Sequence, residues 1–251
     1  MILDKFSLKG KVAIVTGSDT GLGQGFCKAF VEAGAKVMGV SVVPSTATQE
    51  MLGADNFQFM VENLMSTEPV DRIIAETIKK FGKIDILVNN AGIIKREDAI
   101  DFSEANWDSV MAVNAKTVFF FSQAVARQFI KQGHGGKIIS VASMLSYQGG
   151  IRVPSYTASK SAVKGITMSM ANEWAQYGIN VNAIAPGYMA TNNTQALRAD
   201  ANRSEAILER IPAGRWGTPD DIMGAGVFLA SSASDYVNGF TLAVDGGWLG
   251  R

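Results

Sequence analysis

The chain is poor in the residues that most reactive sites need. Among its 251 residues there is one cysteine and one histidine. A lone Cys27 excludes an intrachain disulfide, so the fold has no need of an oxidising compartment. It lies in the apolar helical pattern GFCKAFVEAG, which predicts an inert core thiol. His134 is flanked by glycines in KQGHGGK and reads as an exposed turn. Without a cluster of such ligands no metal site is expected. Serine-hydrolase chemistry, for its part, lacks a base to stand beside its nucleophile. An excess of one charge is missing as well, because Lys+Arg and Asp+Glu number 23 each. No basic footprint for nucleic acid or an anionic membrane follows from that balance. No apolar run approaches the roughly eighteen residues of a membrane helix, and Asp4, Lys5, Lys9 and Lys11 interrupt any signal-like start. A soluble cytoplasmic protein is expected.

What is present is 47% hydrophobic content, enough for a sizeable core. KVAIVTG is a short apolar run of the kind that forms a buried parallel strand. Residues 21–33 then show helical spacing and stop at Gly34. AKVMGVSVV, FQFMVENL, IDILVNNAG, KIISVAS, INVNAIAPG and GFTLAVDGG read as further strands. Helical patterns cover 66–81, one long stretch over 103–131, 154–176, and a capped segment opening at TPDDIMG. Strands alternating with helices predict a doubly wound, Rossmann-type α/β sheet with helices on both faces. There is no linker, repeat or low-complexity tract, so 1–251 is expected to be one domain. Residues 188–215 are polar and only partly helical, and are expected to form a substrate loop or lid.

Two patterns point to chemistry. Gly17-Ser18-Asp19-Thr20-Gly21-Leu22-Gly23 opens the first helix directly after the first strand. Glycines there permit unusual φ, close backbone approach to a pyrophosphate and tight helix packing. The second strand ends Ser41-Val42-Val43, with neither an acid for a ribose hydroxyl nor a base for a 2′-phosphate. The second pattern is Tyr156 followed one turn later by Lys160, with Ser143 upstream. A phenol has an ordinary pKa of about 10, and a neighbouring ammonium is expected to lower it until the tyrosine becomes a proton carrier. Ser143 could then hold the reacting oxygen. Taken alone, a Tyr–Lys pair one turn apart also fits an ordinary surface pair.

With TGSDTGLG, NNAG, Asn114, Ser143, YTASK and PG in this order, the chain resembles the short-chain dehydrogenase/reductase family over essentially its whole length. The resemblance implies a strand order 3-2-1-4-5-6-7. It implies a Ser143–Tyr156–Lys160 catalytic core, with Asn114 holding a proton-relaying water. It further implies an NAD site formed by Gly17, Thr20, Gly21, Leu22 and Gly23, by Ser41, and by Asn63 and Leu64 after the third strand. Asn63 stands where the family usually has an aspartate against adenine. Asn90, Ala91 and Gly92 would line the cofactor, Lys160 would bind its nicotinamide ribose beside Tyr156, and Pro186, Gly187, Met189 and Thr191 would hold its carboxamide end. A homotetramer built on the long helices and the C-terminal AVDGGWLGR is also implied.

Specificity belongs to the loops at the strand ends. Arg96, Gln148, Arg152, Tyr188, Asn192 and Asn193, with Ser143, are the candidate substrate residues. Arginine forks suit a carboxylate and amides suit hydroxyls, so a small anionic sugar acid is expected. Stretches such as NNAGIIKREDAIDFSE and SMLSYQGGIRVPSYTASKS resemble a sugar-acid branch of the family that serves pectin and uronate breakdown. That branch implies NAD(H)-dependent interconversion of a ketone and a secondary alcohol on a deoxy-keto-gluconate-type acid. A reductase of acyl thioesters, neutral sugars or steroids is the alternative within the fold, and a cofactor-sensing protein the alternative outside catalysis.

Overall fold

Every residue of the first strand, β1 (Val12–Thr16), is buried, as it must be where helices cover both faces of a parallel sheet. Strand alternation sorts its side chains: Ala13 and Val15 join one core and Ile14 the other. The computed structural model describes residues 1–251. After β1 come α1 (Gly21–Glu32), β2 (Lys36–Ser41), α2 (Thr46–Leu52), β3 (Phe57–Val61), α3 (Val70–Phe81) and β4 (Ile86–Asn89). The second half runs α4 (Glu104–Met111), α5 (Val118–Gln132), β5 (Gly136–Val141), α6 (Pro154–Trp174) and β6 (Ile179–Pro186). It ends with α7 (Gln195–Ala199), α8 (Ala201–Arg210), α9 (Pro219–Ala230) and β7 (Thr241–Val244).

The seven strands make one parallel sheet in the order β3-β2-β1-β4-β5-β6-β7, as the resemblance implied. Phe26 and Phe30 of α1 with Ile222 and Leu229 of α9 cover one face. Ile73 of α3, Phe121 and Phe129 of α5, and Met170 of α6 cover the other. Val15 of β1 pairs with Gly39 of β2 on one side and Val88 of β4 on the other, and strand order reverses between β1 and β4. Their following loops therefore diverge and open a crevice at the carboxyl edge of the sheet.

The helix expected over 103–131 is not uniform. A π-helical segment, Ala112–Thr117, separates α4 from α5. Such wide turns are frequent at functional sites, and this one carries Asn114, fully buried. Nothing in AVNAKT distinguishes it from α-helical sequence. α2 was not expected either: it is short and carries only one buried residue, Thr48, so it shows no apolar period. Residues 188–215 resolve into an irregular turn followed by α7 and α8.

Candidate active site

The crevice forms a cavity of about 590 Å³. One wall is the Gly-rich turn. Gly17 and Gly21 adopt φ of 68° and 57°, which favours glycine. A Cβ on Gly23 would lie 1.9 Å from the Gly17 carbonyl oxygen. The turn is clipped to the loop after β4: Asn90 Nδ2 donates to the Thr16 carbonyl at 2.8 Å, and the Asn90 and Ala91 amides both donate to Thr16 Oγ1 at 2.9 Å. A narrow cradle bare of side chains, at the start of a helix whose first amides lack intrahelical partners, suits a pyrophosphate. Its residues fit the dinucleotide that the sequence implied.

The opposite wall carries the titratable groups. Pro154 starts α6, and one turn in, Tyr156 and Lys160 share its inner face. Lys160 is 4% exposed, and its Nζ donates to the Val141 carbonyl at 2.5 Å. Burial pulls its pKa down to about 8. Burial pushes the Tyr156 phenol up, opposed by the Ser143 side chain and the charge of Arg96. The expected lowering of the phenol by the lysine is therefore corrected: the ammonium faces the ring, 5.5 Å from its centroid, and is spoken for by a carbonyl. Ser143 follows β5, and its Oγ accepts from the Leu145 amide at 3.1 Å. That bond leaves the hydroxyl proton free to donate into the cavity. Asn114 Oδ1 accepts from the Ile93 amide and its Nδ2 donates to the Ile93 carbonyl, both at 2.9 Å. It ties the loop after β4 to the π-segment and reaches Ser159 Oγ at 3.2 Å.

The third wall is formed by residues 188–210. Tyr188 packs against Trp248 and Trp216, with ring centroids 4.8 and 5.4 Å away. Arg210 stacks on Trp248, 4.0 Å from the ring centre, and donates to Gln148 Oε1 at 3.2 Å. Arg96 donates to the Asn193 carbonyl at 3.2 Å, joining this wall to the loop after β4.

These elements are those of a known family. Residues 17–249 match a short-chain dehydrogenase family model described as enoyl-(acyl carrier protein) reductase. The chain belongs to the short-chain dehydrogenase/reductase family. A protein of Dickeya dadantii named 2-dehydro-3-deoxy-D-gluconate 5-dehydrogenase is 64% identical over 253 residues, covering 100% of both chains. An Escherichia coli protein of the same name is 62% identical with the same coverage. A crystal structure from Agrobacterium tumefaciens, provisionally described as a 2-deoxy-D-gluconate 3-dehydrogenase with bound NADP, is 52% identical. It superposes with a TM-score of 0.93 over 98% of this chain and 99% of that one.

In this short-chain dehydrogenase the cavity brings together Gly17, Thr20, Gly21, Leu22, Asn90, Ala91, Gly92, Pro186, Gly187, Met189 and Thr191 with Ser143, Tyr156 and Lys160. Of the substrate candidates, Arg96, Gln148, Tyr188, Asn192 and Asn193 line it. Arg152 does not. Its guanidinium pairs with Asp98 at 2.9 Å on the surface, and its φ of 63° turns the chain away. Several cofactor candidates also lie off the cavity. Leu64 is packed in the core around Ile14 and Val40, Asn63 caps the Met65 amide at 3.0 Å, and Ser41 is covered by Asp19, to which it donates at 2.8 Å. Gly23 and Asn114 sit behind the cavity walls.

Sequence reasoning missed Asp19, Arg210 and Trp248, all of which line the cavity. Asp19 stands inside the glycine motif, where the sequence pattern assigns it no role of its own. Trp248 stands in the C-terminal segment expected at a subunit contact, and it is itself 4% exposed within the chain.

Proposed function

We propose that the protein is an NAD(H)-dependent 2-dehydro-3-deoxy-D-gluconate 5-dehydrogenase, interconverting a ketone and a secondary alcohol on a deoxy-keto-gluconate acid. The observation that carries this reading is one cavity holding Ser143, Tyr156 and Lys160 beside a cluster of cationic side chains. The name shared by the full-length relatives supports the substrate class. Bound NADH would supply the hydride, which reduces the carbonyl carbon and leaves NAD⁺. Tyr156 Oη delivers the proton to the substrate oxygen, and Ser143 Oγ–H holds that oxygen in line. Lys160, lowered to about 8 by burial, is poised to return a proton to Tyr156 near neutral pH. Asn114 keeps the loop after β4 in place at the mouth of this relay.

Arg96, Arg203 and Arg210 supply the positive charge for a carboxylate, in place of Arg152. Cationic density at the far wall favours an acid over a neutral ketone. Residues 188–215 serve as the lid, since α8 carries two of these arginines. Exposed Phe120 and Ile130 on α5 and Met168 on α6 support a homotetramer assembled through these helices.

The direct test is oxidation of NADH and NADPH by purified protein with 2,5-diketo-3-deoxygluconate beside a panel of neutral ketones. Turnover confined to the sugar acid is the expected result. Equal or better turnover of a neutral ketone rejects the substrate assignment.

A further inference from the structure

In a doubly wound sheet the adenosine ribose lies beside the end of the second strand, where an acid accepts from its 2′-hydroxyl or an arginine takes a 2′-phosphate. Here that strand end, Ser41-Val42-Val43, has no charge of either sign. A carboxylate reaches it from across the gap. Asp19, inside the Gly-rich turn, lines the cavity, and its Oδ1 accepts from the hydroxyl of Ser41, the last residue of β2, at 2.8 Å. Its Oδ2 has only a long contact, 3.4 Å, with the Thr20 hydroxyl. A carboxylate offers about four acceptor positions, so most of its capacity is left for a ligand.

The carboxylate is also braced from behind. Ser18 Oγ lies 2.9 Å from Ser45 Oγ and 3.4 Å from Ser41 Oγ. Thr48, on α2, donates to the Ser18 carbonyl at 2.8 Å. Gln24 spans the two sides, donating to Thr48 Oγ1 at 3.0 Å and to the Asp19 carbonyl at 3.4 Å. Ser18, Ser41, Ser45 and Thr48 are all buried. This hydroxyl network gives the turn one conformation and gives Asp19 one direction.

We infer that Asp19 selects NAD(H) over NADP(H), supplying from the phosphate turn the acid that β2 lacks, and that Ser41 is its positioning residue. Asp19 accepts from the adenosine 2′-hydroxyl, and its charge opposes a 2′-phosphate. The Agrobacterium relative, of the same fold, holds NADP, so an NAD(H) preference in this chain must come from individual side chains rather than from the fold.

The inference rests on the reading that a nicotinamide dinucleotide occupies this cavity, and its test needs no substrate. NADH and NADPH would be titrated separately into the full-length protein, with binding followed by calorimetry. Wild type should bind NADH about tenfold or more tightly than NADPH, the size expected of a hydrogen bond to a charged group. Asp19→Ser should erase most of that ratio, chiefly by tightening NADPH. Asp19→Asn, which keeps the shape and removes the charge, should do so in part. Ser41→Ala should weaken NADH and shrink the ratio, and should add nothing to Asp19→Ser in a double-variant cycle. A wild-type preference for NADPH, or a ratio unchanged in both Asp19 variants, overturns the inference while leaving the substrate reading intact. Failure of wild type to bind either dinucleotide overturns both.

Discussion

The Lys160 ammonium donates to the Val141 carbonyl at 2.5 Å and stands 5.5 Å from the centre of the Tyr156 ring. The lysine is thus oriented by the end of β5 rather than by the phenol. Its burial favours the neutral amine, as burial of the tyrosine favours the neutral phenol. The two shifts widen the gap between the groups, so a proton passes downhill from a Lys160 ammonium to a Tyr156 phenolate and uphill in the reverse direction.

Tyr156→Phe should bind NADH within about twofold of wild type and lose roughly 10²–10⁴ of turnover, the usual contribution of a positioned acid or base. Calorimetric binding beside steady-state rates checks this. Near wild-type turnover in the variant would remove Tyr156 from the mechanism.

Burial of Lys160 also has a signature in stability. Its pKa falls from 10.5 to about 8 on folding. Between those values the unfolded chain binds more protons, so this group's contribution to stability rises with pH across that window. Full expression amounts to roughly 3 kcal/mol. Denaturant unfolding of wild type and Lys160→Met at pH 7.5, 8.5 and 9.5 should show wild type gaining on the variant as pH rises. A constant difference would contradict the buried-amine account, and comparing the pair cancels Cys27, whose buried thiol is pushed up.

Substitution should separate the arginines cleanly. Arg152→Ala should leave KM for the sugar acid unchanged and cost at most about 1 kcal/mol of stability, since its partner Asp98 is an exposed one. Arg96→Ala and Arg210→Ala should raise KM. A rise in KM with Arg152→Ala alone would place the carboxylate elsewhere.

Asn114→Ala should be felt twice. It strips the Ile93 amide and carbonyl of their partners, with a cost of about 0.5–1.5 kcal/mol for each bond lost, since half-buried Ile93 lines the cavity. The melting temperature should drop and turnover should fall with it. A variant with normal stability and reduced kcat would confine Asn114 to proton relay.

Much of this was legible in one dimension. β1 reads as a buried strand because apolar residues run without interruption, and the turn after it reads as a phosphate cradle because glycines cluster where a helix must start. Tyr156 and Lys160 lie one helical turn apart, so their shared face follows from helix geometry. Arg152 was misplaced because sequence proximity to Tyr156 says nothing of a left-handed residue that turns outward toward Asp98. Asn114 could be named, but the π-segment that buries it is not written in any local pattern.

Sequence alone determined the local and periodic features: strand and helix order, the glycine turn, the Tyr–Lys face and the family these define. These depend on residues a few positions apart, whose relation is set by backbone geometry. Tertiary structure decided which charges face the cavity, where Asp19 meets Ser41, how Trp248 and Arg210 close the third wall, and which way burial moves Lys160 and Tyr156. Each of those depends on segments far apart in the chain and on how much water packing leaves around a side chain.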